Sequence, residues 1–256
     1  MIDPARALRL DGRVALITGG TRGIGRAIAE AYAAAGAGVM VVARKPDELA
    51  ETHAALSQLG PAAIFQGSIG DPTVAEESVT QCIEELGRLD IVVNNAAINP
   101  AFGPLMEADL GAVSKVFDSN ITGPLRFVRA AWQHALADHG GVVLNVVSVG
   151  GLRPGPFIGA YNVSKAALIH LTRQLAQELA PSVRVNAVAP ALVKTDMARA
   201  LWEPNEEGMA RAHPLGRLGL PDDIASAALF LVSDASSWMT GETVVVDGGA
   251  SVAGRI

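Results

Sequence analysis

The chain has 256 residues, half of them hydrophobic, 18% charged and 4% aromatic, with 27 Gly and 14 Pro. This composition lies outside the disordered range, and the scattered Gly and Pro exclude a collagen repeat. Twenty basic residues against 26 acidic ones give a net charge of −6 with no Lys/Arg block, which argues against nucleic acid or an anionic membrane as a partner. A domain of this length buries about 70–75% of its unfolded-chain surface and needs no covalent or metal staple. Cys82 is the only cysteine, so there is no internal disulfide and no cysteine-rich zinc site. The first residues carry no apolar signal core, and no uncharged run reaches the ~20 residues of a membrane span. The expectation is a soluble, cytoplasmic globular protein.

In chain order, the apolar run 14–17 leads into a Gly-rich turn, and an Ala-rich helical pattern over 26–35 stops at Gly36. A second apolar run, 39–42, precedes a polar helix candidate over 47–59, ended by Gly60 and Pro61. The cycle repeats with a strand over 62–65, a helix over 73–86 and a strand over 91–93. A long helix is predicted over 113–136, then a strand over 142–147, a helix over 161–179, a strand over 183–188 and a last strand over 243–246. Continuous Val/Ile/Leu strands are those buried on both faces of a parallel sheet, and each is followed by enough helix for a right-handed crossover. The reading is α/β: a single doubly wound parallel sheet, the Rossmann fold, with helices on both faces and one domain over 1–256. The least regular stretch, 194–221, has the length and the Pro/Gly content of a lid or binding loop.

The turn after the first strand contains Gly19, Gly23 and Gly25. Glycines there let the backbone approach a pyrophosphate, which the following helix N-terminus stabilises. A phosphate loop of the NTPase type would need Gly-Lys-Ser/Thr, but Gly25 is followed by Arg26-Ala27, without the Lys or the Mg-binding hydroxyl. If NAD were bound, an acid should end the second strand to take the free ribose 2′-hydroxyl. That strand instead ends Val42-Ala43-Arg44-Lys45, and Arg22 lies in the glycine loop. Two cations and no carboxylate suit the 2′-phosphate of NADP(H), with NAD(H) the second choice; a solvated helix start is the plain alternative.

Tyr161 and Lys165 are four apart, so both project from one helix face. A phenol ionises near pH ~10, and a neighbouring ammonium is expected to move it toward neutrality and make it a general acid or base. Tyr-x-x-x-Lys by itself is common and mostly structural. Its weight comes from Ser148, which ends the fifth strand 13 residues upstream, at the sheet edge where ligands bind. A serine-hydrolase reading fails because Val146-Val147-Ser148-Val149-Gly150 lacks the first glycine of Gly-x-Ser-x-Gly. His53, His134, His139, His170 and His213 have no metal-ligand spacing, so no metal is expected, and Cys82 reads as a small core hydrophobe.

Together these motifs resemble the short-chain dehydrogenase/reductase family over 14–249. Thr18-Gly19-x-x-x-Gly23-x-Gly25 is similar to its cofactor loop, and Asn94-Asn95-Ala96 to its motif after the fourth strand. Asn120, Ser148, Tyr161 and Lys165 match its catalytic tetrad in order and spacing. Asp90 matches a position that braces the fold near the cofactor, Asn186 with Pro190 and Thr195 a segment over the nicotinamide, and Val246-Asp247-Gly248-Gly249 the usual ending. The resemblance implies that Tyr161 passes a proton to or from the substrate oxygen and that Ser148 holds that oxygen. Lys165 lowers the phenol pKa and holds the nicotinamide ribose, and Asn120 anchors a water of the proton relay. The implied cofactor residues are Gly19, Thr21, Arg22, Gly23, Ile24, Gly25, Arg44, Lys45, Ser68, Ile69, Asn95, Ala96, Ala97, Pro190, Val193 and Thr195, with Tyr161 and Lys165. Ala97, Ala191 and Ser68 depart from the family's usual Gly, Gly and Asp, which implies weaker or shifted cofactor contacts with the reacting groups intact.

The family's 3-oxoacyl-thioester reductases and NADP-dependent carbonyl reductases look most similar. Asp138-His139-Gly140 and Ala180-Pro181-Ser182 lack the basic residues that would dock an acidic carrier protein, so small ketones and coenzyme A thioesters stand beside a carrier-bound acyl chain. NAD-dependent alcohol or polyol oxidation is the alternative, disfavoured by Arg44 and Lys45; a non-catalytic dinucleotide sensor is the alternative from another class, disfavoured by the complete tetrad. Phe102, Phe157, Met197 and Trp202 are the candidate apolar walls of the substrate pocket, with core packing as the competing role. The apolar faces of the helices over 112–136 and 161–179 imply, by resemblance, a homotetramer.

Overall fold

In the computed structural model, which describes residues 3–253, seven strands form one parallel sheet in the order β3-β2-β1-β4-β5-β6-β7. They are β1 (Val14–Thr18), β2 (Gly38–Ala43), β3 (Ala62–Gln66), β4 (Ile91–Asn94), β5 (Gly141–Val146), β6 (Val183–Pro190) and β7 (Thr243–Val246). The main crossover helices are α1 (Gly23–Ala34), α2 (Pro46–Leu56), α3 (Val74–Leu86), α4 over 110–139, α5 (Gly159–Leu179) and α6 (Pro221–Val232). This is a Rossmann-like α/β fold.

Both faces of the central strands are apolar because both are covered. Ala15 and Ile17 of β1, Val39 and Val41 of β2, and Ile91 and Val93 of β4 join one core with Ile28, Leu49 and Leu231. The alternate residues Val14, Leu16, Met40, Val42 and Val92 join a second core with Val79, Phe127 and Leu175. Thus α1, α2 and α6 cover one face, and α3, α4 and α5 the other. Fully burying such a Val, Leu or Ile side chain contributes about 1.5–3 kcal/mol, which makes the double-sided strand the dominant stabilising unit. Tyr32 is wholly buried and donates to Ala228 O at 3.1 Å, tying α1 to α6.

Three elements differ from the sequence reading. The helix α6 was not anticipated inside the Pro- and Gly-rich C-terminal third, although Pro221 opens it and Asp222 and Asp223 occupy its first turn. The expected irregular stretch contains the short helices Arg199–Trp202 and Glu206–Arg211. The long fourth helix is interrupted by π-turns at Asp118–Thr122 and Trp132–Leu136. The order of strand addition reverses between β1 and β4: β2 and β3 lie to one side of β1, β4 to β7 to the other, and Ile17 pairs with Val93. In an open sheet of this kind the crevice beyond the carboxyl ends at that reversal is where ligands bind. No helix among the described residues is long and apolar enough to cross a membrane.

Candidate active site

Beyond Thr18 the chain turns sharply, with left-handed φ of +67° at Gly19 and +53° at Gly23, a conformation that costs glycine little. Thr18 Oγ1 accepts the backbone N–H groups of Asn95 and Ala96, each at 3.1 Å. Asn95 Nδ2 in turn donates to Thr18 O at 2.9 Å and Gly19 O at 3.1 Å. The glycine loop is therefore clamped to the segment after β4. A Cβ on Gly25 would run into Gly19 O and Asn95 Nδ2, so α1 starts against the loop backbone. The N-cap of α1, Arg22, provides no side-chain acceptor for the first-turn N–H groups. Free donors above a close backbone cradle fit a dinucleotide pyrophosphate.

Arg44 and Lys45, which follow β2, line the same cleft as this loop. Among the described residues the Arg44 side chain has no ion-pair partner, whereas Lys45 Nζ donates to Glu48 Oε1 at 2.7 Å. Glu48 Oε2 accepts the Thr21 hydroxyl at 3.0 Å. The Lys45 ammonium above all, with the Thr21 hydroxyl and against the effect of burial, holds the Glu48 carboxyl below its usual range. Sequence reasoning missed Glu48; its i,i+3 spacing from Lys45 was the available signal. The cationic pair expected there is therefore half neutralised.

Ser148 follows β5, and its Oγ accepts Gly150 N at 3.0 Å. Tyr161 and Lys165 stand in the first two turns of α5, with Lys165 Nζ 5.6 Å from the Tyr161 ring centroid. Lys165 is 2% exposed, donates to Val146 O at 2.8 Å, and is pulled down to about 8 by burial. Burial pushes the Tyr161 phenol up to about 12, against a hydrogen bond from Ser148 that pulls it down. The expected lowering of the phenol by Lys165 is thus not what the protein alone produces: desolvation wins. Asn120 lies in the first π-turn of α4, fully buried. Its Oδ1 accepts Ile98 N at 2.9 Å, and its Nδ2 donates to Ile98 O and Ser164 Oγ, each at 3.0 Å. Both ends of this side chain are engaged by protein, so it fixes the loop after β4 against α5.

These groups meet in one cleft of about 1150 Å³. It is lined by Ser148, Tyr161, Lys165 and each cofactor candidate from Gly19 to Thr195, including Ser68, Ile69, Ala97, Pro190 and Val193, and by Phe102 and Met197. Phe157, Trp202 and Asn120 do not line it. Phe157, at φ +65°, stacks on Phe102 with ring centroids 5.9 Å apart. The Trp202 indole donates to Thr195 O at 3.3 Å, beneath Lys194 Nζ at 5.4 Å from its ring. Two further expectations are corrected. Asp90 is at the amino edge of the sheet, away from the cleft, where its Oδ2 accepts Val14 N at 2.8 Å and its carboxylate pairs with Arg88 at 2.6 Å. Asn186 is buried between β6 and the chain before β7, donating to Met239 O at 2.8 Å and accepting Glu242 N at 3.1 Å. Another residue missed in sequence is Asn162, which lines the cleft with a buried, unpartnered Oδ1. No cluster of metal-binding side chains occurs among the described residues, and Cys82 is buried with its thiol pushed up to about 12, mainly by burial.

A nucleotide cradle joined to half-buried Ser148 and Tyr161 and buried Lys165 at the carboxyl edge defines a dinucleotide-dependent oxidoreductase, and comparison with known proteins agrees. The family model described as enoyl-(acyl carrier protein) reductase matches residues 19–251. Dehydrogenase/reductase SDR family member 4 of Sus scrofa is 40% identical over 94% of this chain and 88% of its own length. Short-chain dehydrogenase/reductase SDRA of Arabidopsis thaliana is 37% identical over 94% of this chain and 95% of its own. Among solved structures, a 7α-hydroxysteroid dehydrogenase complexed with NADH and 7-oxo glycochenodeoxycholic acid superposes with a TM-score of 0.92 at 33% identity, covering 97% of this chain and 98% of that one. A putative NAD(P)-dependent gluconate 5-dehydrogenase from Beutenbergia cavernae with bound NADP gives 0.90 at 35% identity, over 96% of this chain and 100% of that one. The chain belongs to the short-chain dehydrogenase/reductase family. It is an NAD(P)-dependent oxidoreductase acting on CH–OH and C=O groups.

Proposed function

We propose that this enzyme reduces a ketone with NADPH, the substrate being a 3-oxoacyl thioester or a related carbonyl compound. The observation that carries this reading is that Ser148, Tyr161 and Lys165 line the same cleft as the glycine cradle, so a carbonyl held by the two hydroxyls lies beside the cofactor, with the Tyr161 phenol placed to donate. When bound, NADPH would supply the hydride to the carbonyl carbon. Ser148 holds and polarises the carbonyl oxygen, and Tyr161 gives it a proton. Lys165, charged below about pH 8 and with its Nζ 5.6 Å from the Tyr161 ring centroid, then stabilises the phenolate. Asn120 is a positioning residue, keeping Ile98 and the Tyr161–Lys165 turn in register through Ser164.

Arg44, unpaired and lining the cleft, supports the NADP(H) preference through charge-assisted hydrogen bonds to a 2′-phosphate. Beyond the nicotinamide end the walls turn apolar, with Phe102, Ile158, Leu192, Met197, Leu201 and Met209, the composition usual for small-molecule sites. The stretch 194–221 covers this half as a lid within a single catalytic domain. Exposed Leu110, Leu125 and Val163 on α4 and α5 support a homotetramer joined through those helices, in the cytoplasm. A second reading, oxidation of an alcohol or polyol with NAD+, is favoured by one observation, the Glu48 carboxylate in the cofactor cleft.

The test is cofactor absorbance during turnover with acetoacetyl-CoA and an aromatic diketone in the presence of NADPH or NADH, and with a sugar alcohol in the presence of NADP+ or NAD+. NADPH-dependent reduction should give the higher kcat/KM. Preference for NADH, or turnover of the alcohol alone, refutes the proposal.

A further inference from the structure

We propose that Glu48 is a specificity-determining residue for the cofactor: from the first turn of α2 it supplies the carboxylate that the end of β2 lacks. The strand ends at Ala43, which can neither accept from a free ribose 2′-hydroxyl nor repel a 2′-phosphate. Glu48 reaches back over that gap. One carboxylate oxygen takes the Thr21 hydroxyl of the glycine loop at 3.0 Å and the other takes Lys45 Nζ at 2.7 Å, so the group spans both walls of the cleft at its adenosine end. Its side chain is 31% exposed and that of Lys45 is 60% exposed, so a ligand reaches both.

The charge at this end decides the consequence. Arg44 and Lys45, with Arg22 of the glycine loop in the same cleft, offer positive charge to a 2′-phosphate of about −2. With Glu48 ionised, one of them is already compensated, and an arriving phosphate meets a carboxylate beside it. A free 2′-hydroxyl, by contrast, finds in Glu48 an acceptor. The carboxylate therefore narrows the advantage of NADP(H) over NAD(H) and keeps the site open to both. An ordinary helix-start role does not account for its position: Asp47 also sits in the first turn of α2 and is exposed, whereas Glu48 is turned into the cleft. The inference leans on the NADP(H) reading only for where the 2′-substituent lies.

The test is calorimetric titration of NADP+ and of NAD+ into the wild-type protein and the Glu48→Gln variant, which keeps the side-chain shape and loses the charge. Removing one like charge at this range should raise the ratio of Kd for NAD+ to Kd for NADP+ by about threefold or more. A smaller rise, no change or a fall overturns the inference. A wild-type protein that itself prefers NAD+ refutes the NADP(H) reading, while the change in ratio on Glu48→Gln still decides the role of Glu48.

Discussion

Replacing Gly25 by Ala tests the cofactor cradle through a single added methyl. Its Cβ would collide with Gly19 O and Asn95 Nδ2 and lie 2.9 Å from the Gly19 carbonyl carbon. None of these is the free end of a flexible side chain: two are loop backbone, and Asn95 is held by its bonds to Thr18 O and Gly19 O at 2.9 and 3.1 Å. Forcing a methylene-sized group into a packed site costs about 1–3 kcal/mol, and each clamp hydrogen bond lost adds about 0.5–1.5 kcal/mol. A total near 2 kcal/mol corresponds to a fall in Tm of about 5 °C for a chain of this length. Because the displaced backbone is the pyrophosphate cradle, the Kd for NADP+ should rise by at least about tenfold. The control is Gly60→Ala, where the nearest atom to the new Cβ is Ala37 O at 3.7 Å and the loss of unfolded-state freedom should leave stability equal or slightly raised. Thermal melts and calorimetric titration of both variants decide the matter. Wild-type Tm and Kd in Gly25→Ala would refute the close approach of α1 to the loop.

Asp90→Ala should lower the unfolding free energy by about 1–3 kcal/mol, seen as a lower urea midpoint with an unchanged slope, because it leaves the Val14 N–H without its acceptor at the amino edge of the sheet; an unchanged midpoint contradicts this. Lys165 is pulled down to about 8 from 10.5, so between those values the unfolded chain binds more protons than the folded one and stability rises with pH. Tyr161, pushed up, opposes this only above its ordinary value near 10. The unfolding free energy of wild type minus that of Lys165→Met should therefore grow from about pH 8 to pH 10 by roughly 1 kcal/mol per pH unit, and a flat difference in urea melts refutes the burial cost. Cys82, buried with its thiol pushed up to about 12, should be inert to a thiol reagent at mildly alkaline pH and react fully once the chain is unfolded in urea; rapid modification of folded protein contradicts its placement.

The sheet was readable in sequence because its central strands, β1, β2, β4 and β5, are dominated by Val, Ile, Leu and Met between turn residues, a pattern that double-sided burial requires. The cradle and the Ser148, Tyr161 and Lys165 group were readable for a different reason: their chemistry is local, set by glycines in one turn and by two residues on one helix face. The features that escaped depend on placement in space. Glu48 reaches Thr21, 27 positions away, only because α2 packs beside the glycine loop. The phenol of Tyr161 rises because the folded chain desolvates it, which helix spacing does not express. Phe157, with a left-handed backbone, stacks on Phe102, and the Trp202 indole bonds Thr195 O, contacts that spacing along the chain does not express. Apolar periodicity continues through the π-turns of α4, so nothing in the pattern marks them. The amino-edge position of Asp90 was available in principle, since a residue immediately before a strand lies at the end opposite the ligand crevice.

The most direct test of the account is Tyr161→Phe, measured with any ketone that the wild-type enzyme reduces and, separately, by calorimetric titration of NADP+. The variant loses only the phenol oxygen, so the fold and the cradle stay intact and Kd should remain within about tenfold of wild type. Turnover, deprived of its proton donor, should fall by at least ~10²–10⁴-fold. A variant that binds NADP+ and still reduces the ketone at a rate near that of the wild type would contradict the assignment of Tyr161 as the group that protonates the substrate oxygen.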